Sequence, residues 1–330
     1  MANNLFISSF KDVYNMSLLV KKLLIFILPF LILIALEVII DPFNYFFAEK
    51  NKALGELKNN LARKKNTYLY RLIEYERNQY PAIVLGDSRA QRLMPDFFEE
   101  VNGEKIVNLA AGAGSLQDVI KIFWDLSKNK NLKKIYIGVA IEGYSGTLLK
   151  DRVSAALEVK NSVPLYLMNK FTLENTMLIL KSQLFKQRVE VQDPPFSREE
   201  FWKYELAQEG RYLRDYSYPK NYYSELKKIS EYCSKNNIKL VFIISPTHIE
   251  VQNKISEFKL DKEYEKFKED IRSFGDLYDF NWPNVITENK DNFLDPLHSI
   301  DSVSRIMIRE VILNQPKYAV FTKQTASGNQ

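Results

Sequence analysis

The amino-acid sequence predicts a three-layer α/β/α domain with a central parallel sheet, an N-terminal transmembrane helix and a helical insertion. Three observations predict this arrangement. Short apolar runs alternate with amphipathic segments from residue 80 onward, an uninterrupted apolar stretch precedes them, and the alternation is lost between about residues 146 and 220. Strands of a parallel sheet are continuous apolar runs because helices cover both faces of the sheet.

The apolar stretch Leu23–Ile40 predicts a membrane-spanning helix. It is long enough to cross the hydrocarbon core, and Glu37 is its only charged residue. A buried core helix and a signal sequence are the alternatives. The segment has no polar face, and no small-residue cleavage site follows it closely. We therefore expect an uncleaved single-pass anchor over residues 23–40.

Charges on the two sides of this helix bear on its orientation. Lys21 and Lys22 precede the helix and Asp41 follows it, which favours residues 1–22 in the cytoplasm and the rest of the chain outside. Further lysines follow soon after Asp41, so the charge distribution alone leaves the orientation open. We expect a cell-membrane protein with an extracytoplasmic domain.

Residues 41–79 are predicted to form a polar helical connector, packed on the domain or lying at the membrane surface. The main domain is predicted over residues 80–320, with the insertion at about 146–220 and a flexible tail over 321–330. Its predicted strands are Ala82–Leu85, a short strand ending near Val107 and Leu109, Ile135–Ile141, Leu240–Ser245 and Leu277–Phe280. One predicted helix begins after Ser115. The others cover residues 221–236, Glu263–Phe274 and Ser302–Leu313.

Ser88 follows the first predicted strand in the segment Ile83-Val-Leu-Gly-Asp-Ser88. A serine at the carboxyl end of a buried strand lies at the edge where doubly wound folds bind ligands. Its hydroxyl becomes a nucleophile only if a base takes its proton. On this segment alone, a simple turn with Ser88 as a helix cap is the alternative.

Asp295 and His298 stand three residues apart in the loop before the last predicted helix. A turn there can place the carboxylate against one ring nitrogen and leave the other nitrogen free as a general base. A solvated aspartate with a surface histidine is the alternative. The chain has two histidines, His248 and His298, so a histidine-based mechanism must use one of them.

A glycine-containing loop runs from Asn108 to Ser115 and enters a helix through the predicted capping box of Ser115 and Asp118. The backbone N–H groups of such a loop can stabilise an oxyanion. A strand-to-helix turn that needs glycine for its backbone conformation is the alternative. The loop lacks the G-x-G-x-x-G pattern, which argues against dinucleotide binding.

These three segments, in this order, resemble the SGNH or GDSL-like superfamily of hydrolases and acyltransferases. The resemblance covers roughly residues 80–315 without the insertion. It implies an SGNH-like, flavodoxin-like fold in which Ser88 is the nucleophile and Asp295 and His298 complete a catalytic triad. No cofactor is implied.

The resemblance also implies an oxyanion hole made by the backbone N–H groups of Ser88 and a loop glycine. The sequence does not distinguish Gly112 from Gly114, and Gly112 is named as the first candidate. The family's G-x-N-D block is missing, since the corresponding strand end is Gly138-Val-Ala-Ile-Glu-Gly-Tyr144. Asn108 is a candidate substitute for the missing asparagine.

Other residues at the same sheet edge are weaker candidates for substrate binding: Arg89, Gly114, Glu142, Tyr144 and His248. Arg89 either binds an anionic group or pairs with a carboxylate. His248 is either a substrate ligand or a polar residue at a strand end.

An anchored chain of this layout resembles the bacterial accessory SGNH proteins that act beside membrane-bound O-acyltransferases. The resemblance implies an O-acyltransferase that moves acetyl groups onto an extracellular polysaccharide or cell-wall polymer through an acyl-enzyme, with a membrane-bound O-acyltransferase as a partner. A carbohydrate esterase with the same triad and a catalytically silent scaffold for that acyltransferase are the alternatives.

Composition excludes several other classes of protein. The 46 basic and 41 acidic residues give a net charge of +5 and are scattered, which argues against a nucleic-acid partner. The single cysteine, Cys233, rules out an intramolecular disulfide. One cysteine and two distant histidines predict no metal site.

Overall fold

The computed structural model describes residues 3–147, 151–185 and 197–324, with backbone only for residues 3–17 and 62–65. The chain divides into two compact units. The first unit consists of Met1–Asn66 and Val159–Glu190, and the second consists of Thr67–Glu158 and Val191–Gln330.

The described helices are α1 (Asn3–Ile40), α2 (Lys52–Lys65), α3 (Thr67–Asn78), α4 (Pro95–Asn102), α5 (Leu116–Leu126), α6 (Ser154–Lys160), α7 (Val163–Leu167), α8 (Lys170–Phe185), α9 (Arg198–Arg214), α10 (Lys220–Lys235), α11 (Ile249–Glu257), α12 (Asp261–Phe274) and α13 (Asp301–Leu313). The described strands are β1 (Ala82–Leu85), β2 (Ile106–Asn108), β3 (Lys134–Gly138), β4 (Lys239–Ile244), β5 (Asp276–Asp279), β6 (Phe293–Asp295), β7 (His298–Ser299) and β8 (Val320–Thr322).

The first unit is helical and contains the apolar segment. Within α1, Leu18–Ile40 is 23 residues long and is apolar enough to cross a membrane, as an anchor or as a signal sequence. The chain turns sharply after α1 at Asp41, whose φ is 44°. The Asp41 carboxylate accepts hydrogen bonds from the backbone N–H groups of residues 45–47 at 2.7–2.9 Å and from the Tyr166 hydroxyl at 2.8 Å. These bonds fix the exit from the apolar helix.

The second unit has the predicted α/β architecture. Its six-stranded sheet has the order β2-β1-β3-β4-β5-β8, with β8 alone antiparallel to its neighbour. The strand order reverses beside β1, so β1 and β3 flank the switch point where a crevice opens at the carboxyl ends of the strands. This crevice is the expected position of a binding site.

Alternate strand residues point to opposite faces of the sheet. Because the strands are apolar along their length, helices cover both faces. Val84 and Tyr136 belong to one buried cluster that contains Phe98 of α4 and Met307 and Val311 of α13. On the other side, α10 packs against α5 and α12. The observed layers confirm the predicted three-layer fold class.

Several boundaries differ from the prediction. Strand β3 ends at Gly138 rather than at Ile141, because the chain turns at residues 140–144 with Tyr144 N–H bonded to the Ala140 carbonyl. Helix α3, predicted as part of the connector, belongs to the second unit and buries Leu69 and Leu72 completely.

The predicted insertion and tail also differ from the structure in their extent. The insertion region is divided between the two units, and its residues 148–150 and 186–196 lie outside the described residues. The beginning of the predicted tail is ordered, since Phe321 pairs with Tyr278 as part of β8. Residues 325–330 of that tail lie outside the described residues.

Two glycines allow the turn after β1 to approach β3. Gly86 has a φ of +142°, and a Cβ at Gly138 would lie 2.4 Å from the Cβ of Ala90. Ala90 is completely buried, so it has no room to move away. The small side chains at these positions are therefore a packing requirement of the switch point.

We predict that Gly138→Ala destabilises the second unit, because the added methyl group overlaps Ala90. The expected loss in free energy of unfolding is about 1–3 kcal/mol. Urea unfolding followed by tryptophan fluorescence measures it, since Trp124, Trp202 and Trp282 all lie in this unit. Gly112→Ala is the matched control, because its Cβ would meet only Gln91 Oε1, at 4.0 Å. Equal stability of the two variants would contradict this packing analysis.

Candidate active site

Ser88 lies in a tight turn that the Asp87 carboxylate organises. Asp87 Oδ1 accepts hydrogen bonds from the backbone N–H groups of Arg89, at 2.9 Å, and Ala90, at 3.4 Å. The Gln91 N–H then bonds to the Asp87 carbonyl at 3.0 Å. An aspartate that bonds to N–H groups two and three residues ahead stabilises a turn of this kind. The turn holds Ser88 at the carboxyl end of β1.

Asp295 and His298 lie opposite each other in the short antiparallel hairpin formed by β6 and β7. Asp295 Oδ1 accepts hydrogen bonds from the backbone N–H groups of Leu297, at 2.9 Å, and His298, at 3.1 Å. The carboxylate is thereby fixed against its own loop. The D-x-x-H spacing works because this turn folds the histidine ring back onto the carboxylate.

The structure brings Ser88, His298 and Asp295 together in a continuous hydrogen-bonded chain. Ser88 Oγ lies 2.7 Å from His298 Nε2, and His298 Nδ1 lies 2.7 Å from Asp295 Oδ2 and 2.9 Å from Asp295 Oδ1. An ionised carboxylate accepts a hydrogen bond from the Nδ1–H group and so favours the tautomer with an unprotonated Nε2. In this arrangement Nε2 can take the serine proton.

Contacts outside the triad fix the hairpin relative to the Ser88 turn. Arg92, just after that turn, donates from Nε to the Ser299 carbonyl at 3.1 Å and pairs with Asp301. On the other side, the His248 N–H donates to the Pro296 carbonyl at 2.9 Å. These two bonds anchor both sides of the hairpin, so the Ser88–His298 distance does not depend on the triad alone.

The backbone N–H groups of Ser88 and Gly112 are free to serve as oxyanion-hole donors. Neither has an intramolecular acceptor among the described residues. The loop that carries Gly112 is held against the β1 turn by a 3.3 Å bond from the Ala111 N–H to the Gly86 carbonyl. The Gly114 N–H instead donates to the Ala111 carbonyl at 2.9 Å, so the geometry favours Gly112 over Gly114.

Asn108 is not available as an oxyanion donor in this structure, contrary to the expectation from the sequence. Its side-chain amide donates to the carbonyls of Ala90 and Leu93, both at 2.8 Å, and its Oδ1 accepts from the Ala110 N–H. Asn108 is only 4% exposed. Its amide instead joins the end of β2 to the turn that follows Ser88.

Tyr144 and His248 are buried by the fold and have structural partners, so the structure does not support substrate binding by either. The Tyr144 hydroxyl donates to Asp270 at 3.0 Å. His248 is the N-cap of α11, and its ring packs edge-on against Trp202 and Phe293. Burial, offset in part by Glu250, lowers the pKa of His248 below its usual value.

Arg89 pairs with carboxylates, which is one of the two alternatives that the sequence left open. Its Nε donates to Asp87 at 2.9 Å, and its guanidinium also pairs with Glu142. Burial opposes ionisation of both Asp87 and Arg89. Their mutual attraction outweighs it, so the pKa of Asp87 lies below its usual value and that of Arg89 lies above it. Both groups are therefore charged around Ser88.

Sequence reasoning missed two glutamates, Glu205 and Glu209, on helix α9. Glu205 is half-buried near the triad; burial, and secondarily Asp295, raises its pKa. Glu209 is 3% exposed and lies beside Glu142. The one sequence signal for this helix is its capping box, in which Ser197 and Glu200 bond reciprocally. That signal locates the start of the helix but not the face that it buries.

The arrangement of the site suits a serine nucleophile with a histidine base. Among the residues that the structure describes, no cluster of three or more His, Cys, Asp and Glu side chains could hold a metal ion. The serine, the base and the N–H groups at one sheet edge are the parts that acyl transfer requires.

Comparison with known proteins gave matches only among solved structures. No protein-family model and no curated protein matches the chain. A Desulfitobacterium hafniense protein, provisionally described as a lipolytic protein of the G-D-S-L family, is 12% identical, with a TM-score of 0.36 over 71% of this chain and 98% of its own. A Bacteroides fragilis protein, provisionally described as an acylhydrolase, is 11% identical, with a TM-score of 0.34 over 72% of this chain and 86% of its own.

A third similar structure is a Streptococcus protein with the provisional description of platelet activating factor. It is 11% identical to this chain, with a TM-score of 0.33 over 79% of this chain and 96% of its own. At these scores the neighbours decide nothing about the reaction, which is inferred from the residues themselves.

We predict that Asn108→Ala lowers the free energy of unfolding, because it removes the partners of the Leu93 carbonyl and the Ala110 N–H and one of the two donors to the Ala90 carbonyl. The expected loss is about 1–3 kcal/mol or more, since each unsatisfied buried group is costly. Urea unfolding measures it, with the exposed Asn236→Ala as control. A loss below about 0.5 kcal/mol would contradict the structural role of Asn108.

Proposed function

We propose that the chain is a serine acyl-transfer enzyme, an O-acyltransferase that moves acetyl groups onto a polysaccharide or cell-wall polymer. The observation that carries this proposal is the hydrogen-bonded triad, with 2.7 Å between Ser88 Oγ and His298 Nε2. A silent scaffold has no need of a base aligned with a serine hydroxyl. The acetyl group and the polymer acceptor come from the resemblance to accessory SGNH proteins.

The first half-reaction forms an acyl-enzyme on Ser88. His298 Nε2 takes the hydroxyl proton as Ser88 Oγ bonds to the acyl carbonyl carbon, and Asp295 stabilises the resulting imidazolium. The N–H groups of Ser88 and Gly112 hold the negative oxygen of the tetrahedral intermediate. When that intermediate collapses, the bond to the donor oxygen breaks and His298 returns its proton to the leaving group.

The second half-reaction repeats these steps with the acceptor hydroxyl. His298 removes the proton from a sugar hydroxyl, whose oxygen attacks the acyl carbon and releases Ser88. Hydrolysis by the same triad is the second candidate function, and solvent access favours it. The His298 side chain is 21% exposed, so water can reach the base. The nature of the acceptor separates a transferase from an esterase.

The proposed setting is the outer side of a bacterial cell membrane. The segment Leu18–Ile40 would anchor the chain, and the lysines before it favour a cytoplasmic N-terminus. Accessory SGNH proteins of this layout act beside a membrane-bound O-acyltransferase. We propose such a protein as the partner that supplies the acyl group.

We predict that Ser88→Ala and His298→Ala each reduce ester turnover by at least about 1,000-fold, because the nucleophile or its base is lost. The full-length chain in detergent micelles is incubated with p-nitrophenyl acetate, and peptide mass spectrometry locates the bound acetyl group. Acetyl on Ser88, absent from both variants, is the expected result. Ser302→Ala, at an exposed serine, is the control. Turnover retained in Ser88→Ala would exclude this mechanism.

Transfer and hydrolysis are distinguished by adding soluble oligosaccharides to the same reaction. We expect acetylated sugar to form at the expense of free acetate, because a sugar hydroxyl competes with water for the Ser88 acyl-enzyme. Mass spectrometry of the sugars and an acetate assay measure the partition. Release of acetate alone, with every acceptor tested, would favour the esterase.

A further inference from the structure

Helix α9 carries a stripe of four side chains spaced three or four residues apart: Trp202, Glu205, Glu209 and Leu213. Three of them, including the charged Glu209, are buried. The helix is fixed in place by its first turn. Arg198 donates to the Phe293 carbonyl of β6 at 2.7 Å, and Trp202 Nε1 donates to Glu250 of α11 at 2.6 Å. A buried glutamate on a helix fixed against the catalytic hairpin requires a partner.

The partner of Glu209 is a buried group of charges that begins at the nucleophile turn. Arg89, next to Ser88 in the chain, pairs with Asp87 on one side and with Glu142 on the other. Glu142 follows β3 and is hydrogen-bonded to Glu209. Together with Ser245 and Asn281, these side chains line a small cavity at the carboxyl edge of the sheet. The contacts run from α9 through Glu142 and Arg89 to the turn that holds Ser88.

The charges in this group do not balance if every carboxyl group is ionised. Asp87, Glu142 and Glu209 would then face the single guanidinium of Arg89. Burial first, and then the neighbouring Glu142, raises the pKa of Glu209 well above its usual value of 4.5. Glu209 therefore keeps its proton at pH values at which an exposed glutamate has lost it. Its protonated carboxyl group can donate the hydrogen bond that joins Glu209 to Glu142.

We propose that Glu209 is a positioning residue for the nucleophile: its carboxyl group, bonded to Glu142, keeps Glu142 on Arg89 and so fixes the turn that presents Ser88. This inference rests on the proposed function, because it assigns Glu209 a role in acyl transfer from Ser88. Glu209 touches no reacting atom in this scheme. Its effect reaches the serine through Glu142 and Arg89.

The arrangement has a pH-dependent consequence. The charged or titratable groups around the pair include Asp87 and Arg89 on the nucleophile turn, Tyr264 on α12 and Lys254 on α11, whose Nζ lies beside Gly210. When Glu209 loses its proton, its carboxylate and that of Glu142 repel each other, and α9 no longer supports the contact between Glu142 and Arg89. Activity should therefore fall on the alkaline side, at the pH where Glu209 ionises.

The test compares the pH profile of kcat for p-nitrophenyl acetate in the full-length wild type, Glu209→Gln and Glu231→Gln, from about pH 5 to about pH 10. Glutamine can donate the same hydrogen bond but does not ionise. We expect the alkaline decline of the wild type to disappear in Glu209→Gln and to persist in Glu231→Gln, an exposed site on α10. Glu209→Ala should lower kcat at least about tenfold, with less change in KM. An unchanged pH profile in Glu209→Gln would overturn the proposal.

Thermal unfolding of the same proteins distinguishes a failure of the proposed acyl transfer from a failure of the role proposed for Glu209. Because the pKa of Glu209 is raised in the folded state, the folded protein binds a proton that the unfolded chain releases. Wild-type stability should therefore decline as the pH rises above the ordinary glutamate value, and Glu209→Gln should lack that slope. An inactive wild type would refute the proposed acyl transfer. An active wild type whose stability follows the same slope as Glu209→Gln would refute only the role of Glu209.

Discussion

The hydrogen bond between Ser88 Oγ and His298 Nε2 joins two residues that are 210 positions apart in the chain. Neither residue is held in place by the other. The parallel sheet brings the end of β1 to the carboxyl edge, and the β6–β7 hairpin folds His298 onto Asp295. Arg92 then connects the serine turn to the hairpin through the Ser299 carbonyl. A 2.7 Å contact between residues so far apart in sequence requires that all of these elements pack correctly.

The same edge contains an unusual concentration of buried charge. Asp87 shapes the turn and pairs with Arg89, which also binds Glu142, and Glu142 contacts Glu209. Buried ion pairs of this kind contribute little net stability, because desolvation offsets their attraction. Their presence around Ser88 is better explained by geometry, since each pair restricts the position of the turn that carries Ser88.

The sequence was sufficient to predict the features that depend on local patterns. The strand Ala82–Leu85 and the capping box before α5 are observed as predicted, because apolar runs and caps depend on neighbouring residues. The triad residues meet as the motif implied. The role of Asn108 could not be predicted, because an amide suits an oxyanion hole and a buried turn equally well. The burial of Glu209 was also missed, because on a highly charged helix only tertiary packing selects the buried face.

The central claim is that His298 and Asp295 activate Ser88, and covalent labelling tests it most directly. The full-length chain in detergent is treated with a fluorophosphonate, which reacts with activated serines, and peptide mass spectrometry locates the adduct. We expect rapid labelling at Ser88 that slows at least about 100-fold in His298→Gln, because the base is lost. Labelling of other serines at the same rate as Ser88, or equal rates in the variant, would contradict it.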